Sequence, residues 1–348
     1  MICDRVTLRQ YRSYPSLDLD LAPGLVLVVG RNGVGKTNLL EALHVATQGF
    51  SPRTRHDAQL VRFGESAARV AVAGRRGSSP VEVSLTLREG QAKEARLNGA
   101  RLPSAESLRR EFSTLVFTPD RLAVVKGGPA ARRAYFDRTI GRLFPARAAV
   151  PQDYAAALAQ RNAALRRVQL GLSDRAALEP WTERIAALGA ALVATRRETL
   201  ERLAPSFAER AGELGLAEAR LGYDADPPTA EALAARLQRD VERGATGLGP
   251  HLDDVTISSG DRDLRQFGSQ GEQRLAVLSL LLAEAELLDT PPLLLLDDVL
   301  SELDPGRRRV LAERVATMGQ TMITATHASA LPVEPAQIVE VEPGTART

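Results

Sequence analysis

An α/β fold whose sheet-forming halves are separated by an inserted helical lobe is predicted by three observations. Leu25-Val26-Leu27-Val28-Val29 is a buried parallel strand running straight into a glycine-rich segment, Gly30-Arg31-Asn32-Gly33-Val34-Gly35-Lys36-Thr37. Near the other end, Leu293-Leu294-Leu295-Leu296 delivers Asp297 and Asp298 at the C-terminal end of a second strand, where ligands bind in open α/β sheets. Between the two, apolar residues recur at steps of three and four from about Asp120 to Gly244. The expected organisation is a discontinuous head of residues 1–119 and 245–348, a mixed sheet with an antiparallel strand-rich edge, and a helical lid of residues 120–244.

In chain order, residues 2–8 (Ile2, Val6, Leu8) and 17–21 (Leu17, Leu19, Leu21 alternating with Asp18 and Asp20) have the pattern of half-buried strands, so the sheet is expected to begin antiparallel. The run Asn38 to Thr47, apolar at Leu39, Leu40, Leu43 and Val45, reads as the helix after the glycine-rich loop. A polar, basic loop from Gln48 to His56 follows. Ala68–Ala73, Val81–Arg88 and Ala95–Asn98 read as a meander of short strands, parted by turns over Gly74–Pro80 and Glu89-Gly90, and Ser113–Phe117 as one more strand. In the lid, Tyr154, Leu158, Arg161, Leu165, Val168 and Leu172 share one helical face, as do Trp181, Ile185, Leu188 and Leu192. Each stretch is some five turns, and breaks at Gly171 and Pro180 point to antiparallel hairpin packing. From Gly247 the alternation returns: strands at Asp254–Ile257, Leu293–Leu296, Thr321–Thr326 and Ile338–Val341, with helices at Glu272–Leu288 and Pro305–Met318.

Composition narrows the class. A chain of 348 residues, 44% hydrophobic, can fill a large α/β core and a smaller one. The single cysteine, Cys3, excludes internal disulfides and Cys-x-x-Cys metal hooks and suits a reducing cytosol. No apolar run approaches the roughly 18 residues of a membrane span, and the first residues lack a signal pattern, so a cytoplasmic protein without a membrane partner is expected. The net charge of +2 does not by itself argue for nucleic acid, although the basic residues are almost all arginine, with lysine only at Lys36, Lys93 and Lys126.

Gly30 to Thr37 fits G-x-x-x-x-G-K-[ST] at every fixed position and is a P-loop. Gly30, Gly33 and Gly35 let the backbone N–H groups of the loop, those of Arg31, Asn32 and Val34 included, close around a phosphate. Lys36 places a charge against the β/γ oxygens of ATP, Thr37 offers a hydroxyl to Mg2+, and the helix entered at Asn38 points its positive end at the anion. Asp297 is expected to hold Mg2+ opposite Thr37, and Asp298 to orient or deprotonate the attacking water. Ser269-Gln270-Gly271-Glu272-Gln273 opens the helix before that strand with a capping box, Ser269 and Glu272. The segment is close in form to the signature of ABC ATPases. Ser301-Glu302-Leu303-Asp304 stands at D-loop spacing and His327 where a switch histidine is expected. This order of P-loop, signature, Walker B, D-loop and histidine is that of an ABC-type ATPase. In such enzymes the signature serine and its neighbours, here Ser269, Gly271 and Glu272, complete the site of a second copy, so that two ATP molecules are sandwiched in a head-to-tail dimer.

The whole chain resembles the RecF family of bacterial recombination-repair ATPases, which is related to the SMC-like proteins. Leu8-Arg9-Gln10-Tyr11-Arg12-Ser13-Tyr14, Phe117-Thr118-Pro119-Asp120, Gly127 to Asp137, Tyr154 to Arg167 and Gly249-Pro250-His251-Leu252-Asp253-Asp254 carry the resemblance. It implies a weak, DNA-stimulated ATPase, an ATP-driven homodimer that binds double-stranded DNA at gaps or single-strand/double-strand junctions, and action with RecR and RecO in loading RecA. It also implies nucleotide contacts from Arg12 and Ser13. Asp298 stands where most ABC enzymes carry Glu, which favours slow turnover. No glutamine sits where the strand enters the lid; Thr118 and Asp120 occupy that place, so the usual metal or water contact is unassigned among them and Gln48, the substitute taken as a metal ligand. For DNA, Arg53, Arg55, Arg75, Arg76, Arg132, Arg133, Arg166 and Arg167 are placed to track a phosphate backbone with few aromatic residues beside them, which favours duplex contact over base stacking. Two other readings share part of the pattern. A transporter ATPase subunit shares the P-loop, signature and Walker B, and a monomeric P-loop phosphotransferase needs neither Ser269 nor the D-loop.

Overall fold

The computed structural model describes residues 2–348, apart from the Arg110 side chain. It divides into two compact units: residues 2–122, 213–215 and 278–348 form the first, and 123–212 with 216–277 the second. In chain order the first unit opens with β1 (Ile2–Tyr11), β2 (Tyr14–Asp20), β3 (Leu25–Val29), α1 (Lys36–Gln48), β4 (Ala67–Arg76), β5 (Ser79–Arg88), β6 (Glu94–Leu97), β7 (Ala100–Arg101), α2 (Leu108–Glu111) and β8 (Thr114–Phe117). The second holds α3 (Ala123–Lys126), α4 (Pro129–Leu143), α5 (Val150–Gln169), α6 (Glu179–Glu213), β9 (Ala219–Gly222), α7 (Ala230–Ala235), α8 (Leu237–Arg243), β10 (Thr256–Ser259), β11 (Arg262–Asp263), α9 (Leu264–Phe267) and the start of α10 (Gln270–Leu287). The chain then returns to the first unit with β12 (Leu293–Leu296), α11 (Pro305–Ala316), β13 (Thr321–Ala325), β14 (Gln337–Glu342) and β15 (Thr345–Arg347).

The first unit contains two six-stranded sheets where one mixed sheet is expected. One runs β2-β1-β4-β5-β6-β7 and is antiparallel throughout, and the other runs β15-β14-β3-β13-β12-β8 with parallel pairing from β14 to β8. The opening hairpin cannot join the sheet of the glycine-rich loop, because β3 is paired on both edges by β13 and β14 while β1 is taken by β2 and β4. Helix α1 touches β4 and β5 of the antiparallel sheet as well as β8, β12 and β13 of the parallel one. That explains why every residue from Leu39 to Gln48 is buried, Glu41 and His44 included, although only part of the helix reads as apolar. Cys3, Val6, Leu8, Leu39, Leu43, Val70, Leu85 and Leu295 belong to the resulting core.

The meander strands are longer than the sequence suggests. Gly74, Arg75, Arg76, Ser79 and Pro80 lie in the β4–β5 ladder and the turn shrinks to Gly77-Ser78. Gly74 is needed there: a Cβ would stand 2.0 Å from the Ile2 carbonyl oxygen, next to an irregularity in β1 between Cys3 and Arg5.

In the second unit α6 is 35 residues long, about 52 Å at 1.5 Å per residue, and takes Pro205 in its interior. Pro180 begins this helix instead of breaking one, as proline does in a first turn. The expected lid boundary at Gly244 falls inside this unit, which runs on to Val277. The reason is that β10 pairs with β9, two short strands far apart in sequence, and carries β11, α9 and the start of α10 with it. Ile140, Tyr154, Ala157, Ile185, Leu192 and Leu233 form its main core.

Candidate nucleotide-binding site

The loop between β3 and α1 turns through Gly33 at φ +83° and Gly35 at φ +121°, a region open to glycine. A Cβ on Gly35 would lie 2.8 Å from Ser13 Oγ and 3.2 Å from the Tyr14 hydroxyl, so the turn between β1 and β2 closes one side of the loop. Tyr14 donates its hydroxyl to Gly35 O at 3.0 Å. A Cβ on Gly33 would meet nothing within 4 Å, so that side is open. Lys36 folds back over the loop and donates Nζ to Gly30 O at 2.6 Å and Arg31 O at 2.9 Å. No side chain caps α1, which leaves its first-turn N–H groups to an anion. Burial lowers the Lys36 pKa, against the pull of Asp297 and Asp298.

Across the site, Thr37 Oγ1 donates to Asp297, 2.8 Å from Oδ2 and 3.0 Å from Oδ1. Thr324 Oγ1 donates to Asp297 Oδ1 at 2.9 Å and accepts from the Asp298 N–H at 2.8 Å. Burial pushes the Asp297 carboxyl above its ordinary pKa, and the two hydroxyls pull the other way. Asp298 is exposed, in left-handed backbone at φ +50°, and shares a cleft of about 360 Å³ with Ser301, Thr324 and His327. The structure therefore brings Lys36, Thr37 and Asp297 together, and Asp298 with His327. Among the described residues no group of three or more His, Cys, Asp and Glu side chains is set to cage a metal. One hydroxyl and one carboxylate fit Mg2+, which keeps several waters and takes its other ligands from substrate phosphates.

Gln48 is not part of this site. It ends α1, about 18 Å along the helix from Lys36 at 1.5 Å per residue, and its buried amide donates to Phe112 O at 2.8 Å and Thr47 O at 3.1 Å. Arg12 and Ser13 do lie beside the loop. Asn38 donates to Ser13 Oγ at 3.0 Å, and Arg12 grips Glu41 through two bonds of 2.8 Å. Glu41 also accepts from Ser51 at 2.6 Å. Sequence reasoning missed Glu41, Tyr14 and Thr324. The signal for Glu41 is a lone carboxylate in an otherwise apolar stretch of helix, which must find cations when buried. Tyr14 and Thr324 carry no comparable sequence signal.

The signature segment stands in the second unit. Ser269 is exposed and forms its capping box: Glu272 N donates to Ser269 Oγ at 3.2 Å and Ser269 N to Glu272 Oε2 at 2.8 Å. The Ser269 N–H and Arg262, at 2.8 Å, hold the Glu272 carboxyl below its ordinary pKa. Gly271 is exposed beside them. In the D-loop segment Ser301 donates to Asp298 O at 3.2 Å, and Asp304 caps α11 through Arg307 N at 3.0 Å.

The arginines expected to meet DNA divide into two sets. Arg132 is buried, bound to Asp254 at 2.6 and 2.7 Å and to the Val125 and Gly127 carbonyls, so it braces the second unit and is closed to a nucleic acid. Arg133 is half-buried and donates to Asp253 O at 2.5 Å. Arg75 is held by Asp4 at 2.9 and 3.0 Å, Arg76 by Glu111 at 2.9 Å with its guanidinium over Phe112, and Arg53 by Asn38 and Glu41. Arg53, Arg75 and Arg76 are exposed although so held, and Arg55, Arg166 and Arg167 are exposed too.

The family model for the RecF/RecN/SMC N terminal domain matches residues 2–345. The DNA replication and repair protein RecF of Heliobacterium modesticaldum is 37% identical over 347 residues, which cover 94% of this chain and 93% of the relative. A solved structure of the recombination mediator protein RecF with ATPrS, in the RecFOR pathway, superposes with a TM-score of 0.88 at 27% identity, covering 99% of this chain and 97% of the other. An Smc head domain from Pyrococcus furiosus shares the fold, with a TM-score of 0.62 at 16% identity over 99% and 95% of the two chains.

Proposed function

The chain belongs to the RecF/RecN/SMC N-terminal-domain family, and its fold is that of an ABC-type ATPase head; from that premise we propose that it is an ATP-switched DNA-binding protein of recombinational repair. The observation that carries the reading is the Thr37–Asp297 pair, two oxygen ligands brought together from opposite ends of the chain beside an uncapped helix start and a lysine resting on its own loop. ATP fits there with its phosphates on the loop N–H groups, and Lys36 exchanges the Gly30 and Arg31 carbonyls for phosphate oxygens. Mg2+, held by Thr37 and Asp297, would neutralise charge on those oxygens. Asp298 accepts a proton from the attacking water, and His327 lines the same cleft.

Ser269, exposed at the head of α10, serves the site of a second copy, so ATP draws two copies together head to tail and hydrolysis lets them part. In this cytoplasmic cycle the dimer grips duplex DNA at a gap or junction and, with RecR and RecO, promotes RecA loading. Slow turnover, in keeping with the short reach of Asp298, gives the clamp its lifetime. Steady-state ATP turnover measured alone, with gapped duplex DNA and with lipid vesicles tests this. The expected result is slow turnover that rises several-fold with DNA, ignores vesicles, and falls by roughly 10²-fold or more in Lys36→Met. Turnover stimulated by vesicles and indifferent to DNA would overturn it in favour of a transporter subunit.

A further inference from the structure

Two phenylalanines stand in water. Phe63 is 102% exposed and Phe267 64%, which leaves two large apolar rings free to pack against a partner. Neither is on a loose strand of chain. Phe63 occupies the turn Arg62-Phe63-Gly64-Glu65, closed by Glu65 N to Arg62 O at 3.0 Å and tied down by Arg62 N to Gln10 O at 2.8 Å, with Gly64 at φ +87°. Phe267 ends α9, whose Leu264 is fully buried; Gln273 donates to Leu264 O at 2.8 Å, and a Cβ on Gly268 would come within 2.5 Å of that same oxygen. Both rings are thus presented outward by hydrogen-bonded turns.

Their neighbours say what meets them. Phe63 lines a groove of about 900 Å³ together with Arg12, Ser13, Val61, Glu65 and Glu89, and the groove starts at the phosphate loop, since Ser13 packs under Gly35. Phe267 is two residues before Ser269, no more than about 7 Å of extended chain. If Ser269 covers the phosphates of a second copy, Phe267 arrives at the near end of that copy's groove. Charge agrees: of the groove's two arginines Arg12 is paired with Glu41 and Arg62 donates to Ser13 O, which leaves Arg62 against two exposed acids, Glu65 and Glu89, and Arg265 on the Phe267 side is exposed with no ion pair among the described residues.

We propose that in the ATP-bound pair Phe267 of each copy enters the groove of the other and packs on its Phe63, so that two aromatic anchors flank the two nucleotides. This rests on the head-to-tail dimer proposed above. An equimolar mixture of the single variants Phe63→Cys and Phe267→Cys, oxidised mildly with and without ATP, tests it on a non-reducing gel, with sedimentation of the same samples. The native Cys3 stays silent, being fully buried with its thiol pushed up to about 12 by burial. The expected result is a cross-linked dimer in the mixture with ATP, none without ATP, and none from either variant alone. Phe267→Ala should weaken the ATP-dependent dimer on the order of tenfold, and Leu170→Ala, exposed but distant in sequence from the signature, should not. A sedimenting ATP dimer that never cross-links between these positions overturns the anchor and leaves the dimer standing. A wild-type protein that stays monomeric at saturating ATP overturns both.

Discussion

Arg161 and Asp240 are paired at 2.9 Å with 0% and 1% of their side chains exposed, in a setting that also uses Thr246 Oγ1 at 2.6 Å from the guanidinium and Gly247 N at 3.0 Å from the carboxylate. Such a pair gains little over an apolar one, but removing one member strands a buried charge. Arg161→Met is therefore expected to cost about 3–5 kcal/mol. In a unit of this size that lowers the melting midpoint on the order of 10 °C. Adding Asp240→Leu should recover part of the loss, the remainder being the Gly247 N–H left without its acceptor. Calorimetry of the single and double variants checks this, and a single variant as stable as wild type would show that the charge reaches water. In sequence Arg161 reads only as one position of a helical face. Nothing nearby in the chain announces its acid, 79 residues on.

Residues 246–254 form an element without a ladder of its own, held by side chains. Arg196 donates to Pro250 O at 2.6 Å, Tyr223 to Asp253 at 2.6 Å, and His251 lies 2.9 Å from Thr246 O and 2.7 Å from the Tyr154 hydroxyl. A carbonyl can only accept, so Nε2 carries the proton and Nδ1 accepts from Tyr154. Burial, and after it the positive charge of Arg133, lower the His251 pKa below its ordinary value, against Thr246 O, Asp253 and Asp240. The unfolded chain then binds the extra proton first, so stability is full above about pH 6.5 and falls as pH drops below it. The melting midpoint of wild type should drop more between pH 7.5 and 5.5 than that of His251→Asn; parallel curves would contradict the assignment. At this scale the sequence was legible wherever one element carries its own signal. The apolar runs of β3 and β12 and the P-loop glycines are of that kind. It was not legible where a partner decides: β9 has four residues, and its mate β10 lies beyond two helices, so the sequence alone places the end of the lid at Gly244. Gln48 reads as a metal ligand in the sequence, but α1 carries it a helix length away from Lys36.

For the whole molecule, the P-loop and Walker B could be placed from sequence because each motif spans a few adjacent residues. The two-sheet arrangement around α1 could not, since strand partners are chosen by the entire chain. The same distinction bears on the central claim. Lys36, Thr37 and Asp297 meet within one unit, whereas Ser269 is exposed at the start of α10, where its capping box holds the hydroxyl at the surface. ATP is accordingly expected to make one particle from two. The most direct measurement is sedimentation of the wild type and of Ser269→Arg with Mg2+ alone and with Mg2+ and ATP, nucleotide binding being followed in parallel. The account predicts monomers without ATP, a wild-type dimer with it, and a Ser269→Arg protein that binds ATP yet stays monomeric. A wild type that remains monomeric while saturated with ATP, or a Ser269→Arg variant that dimerises as well as wild type, would contradict it.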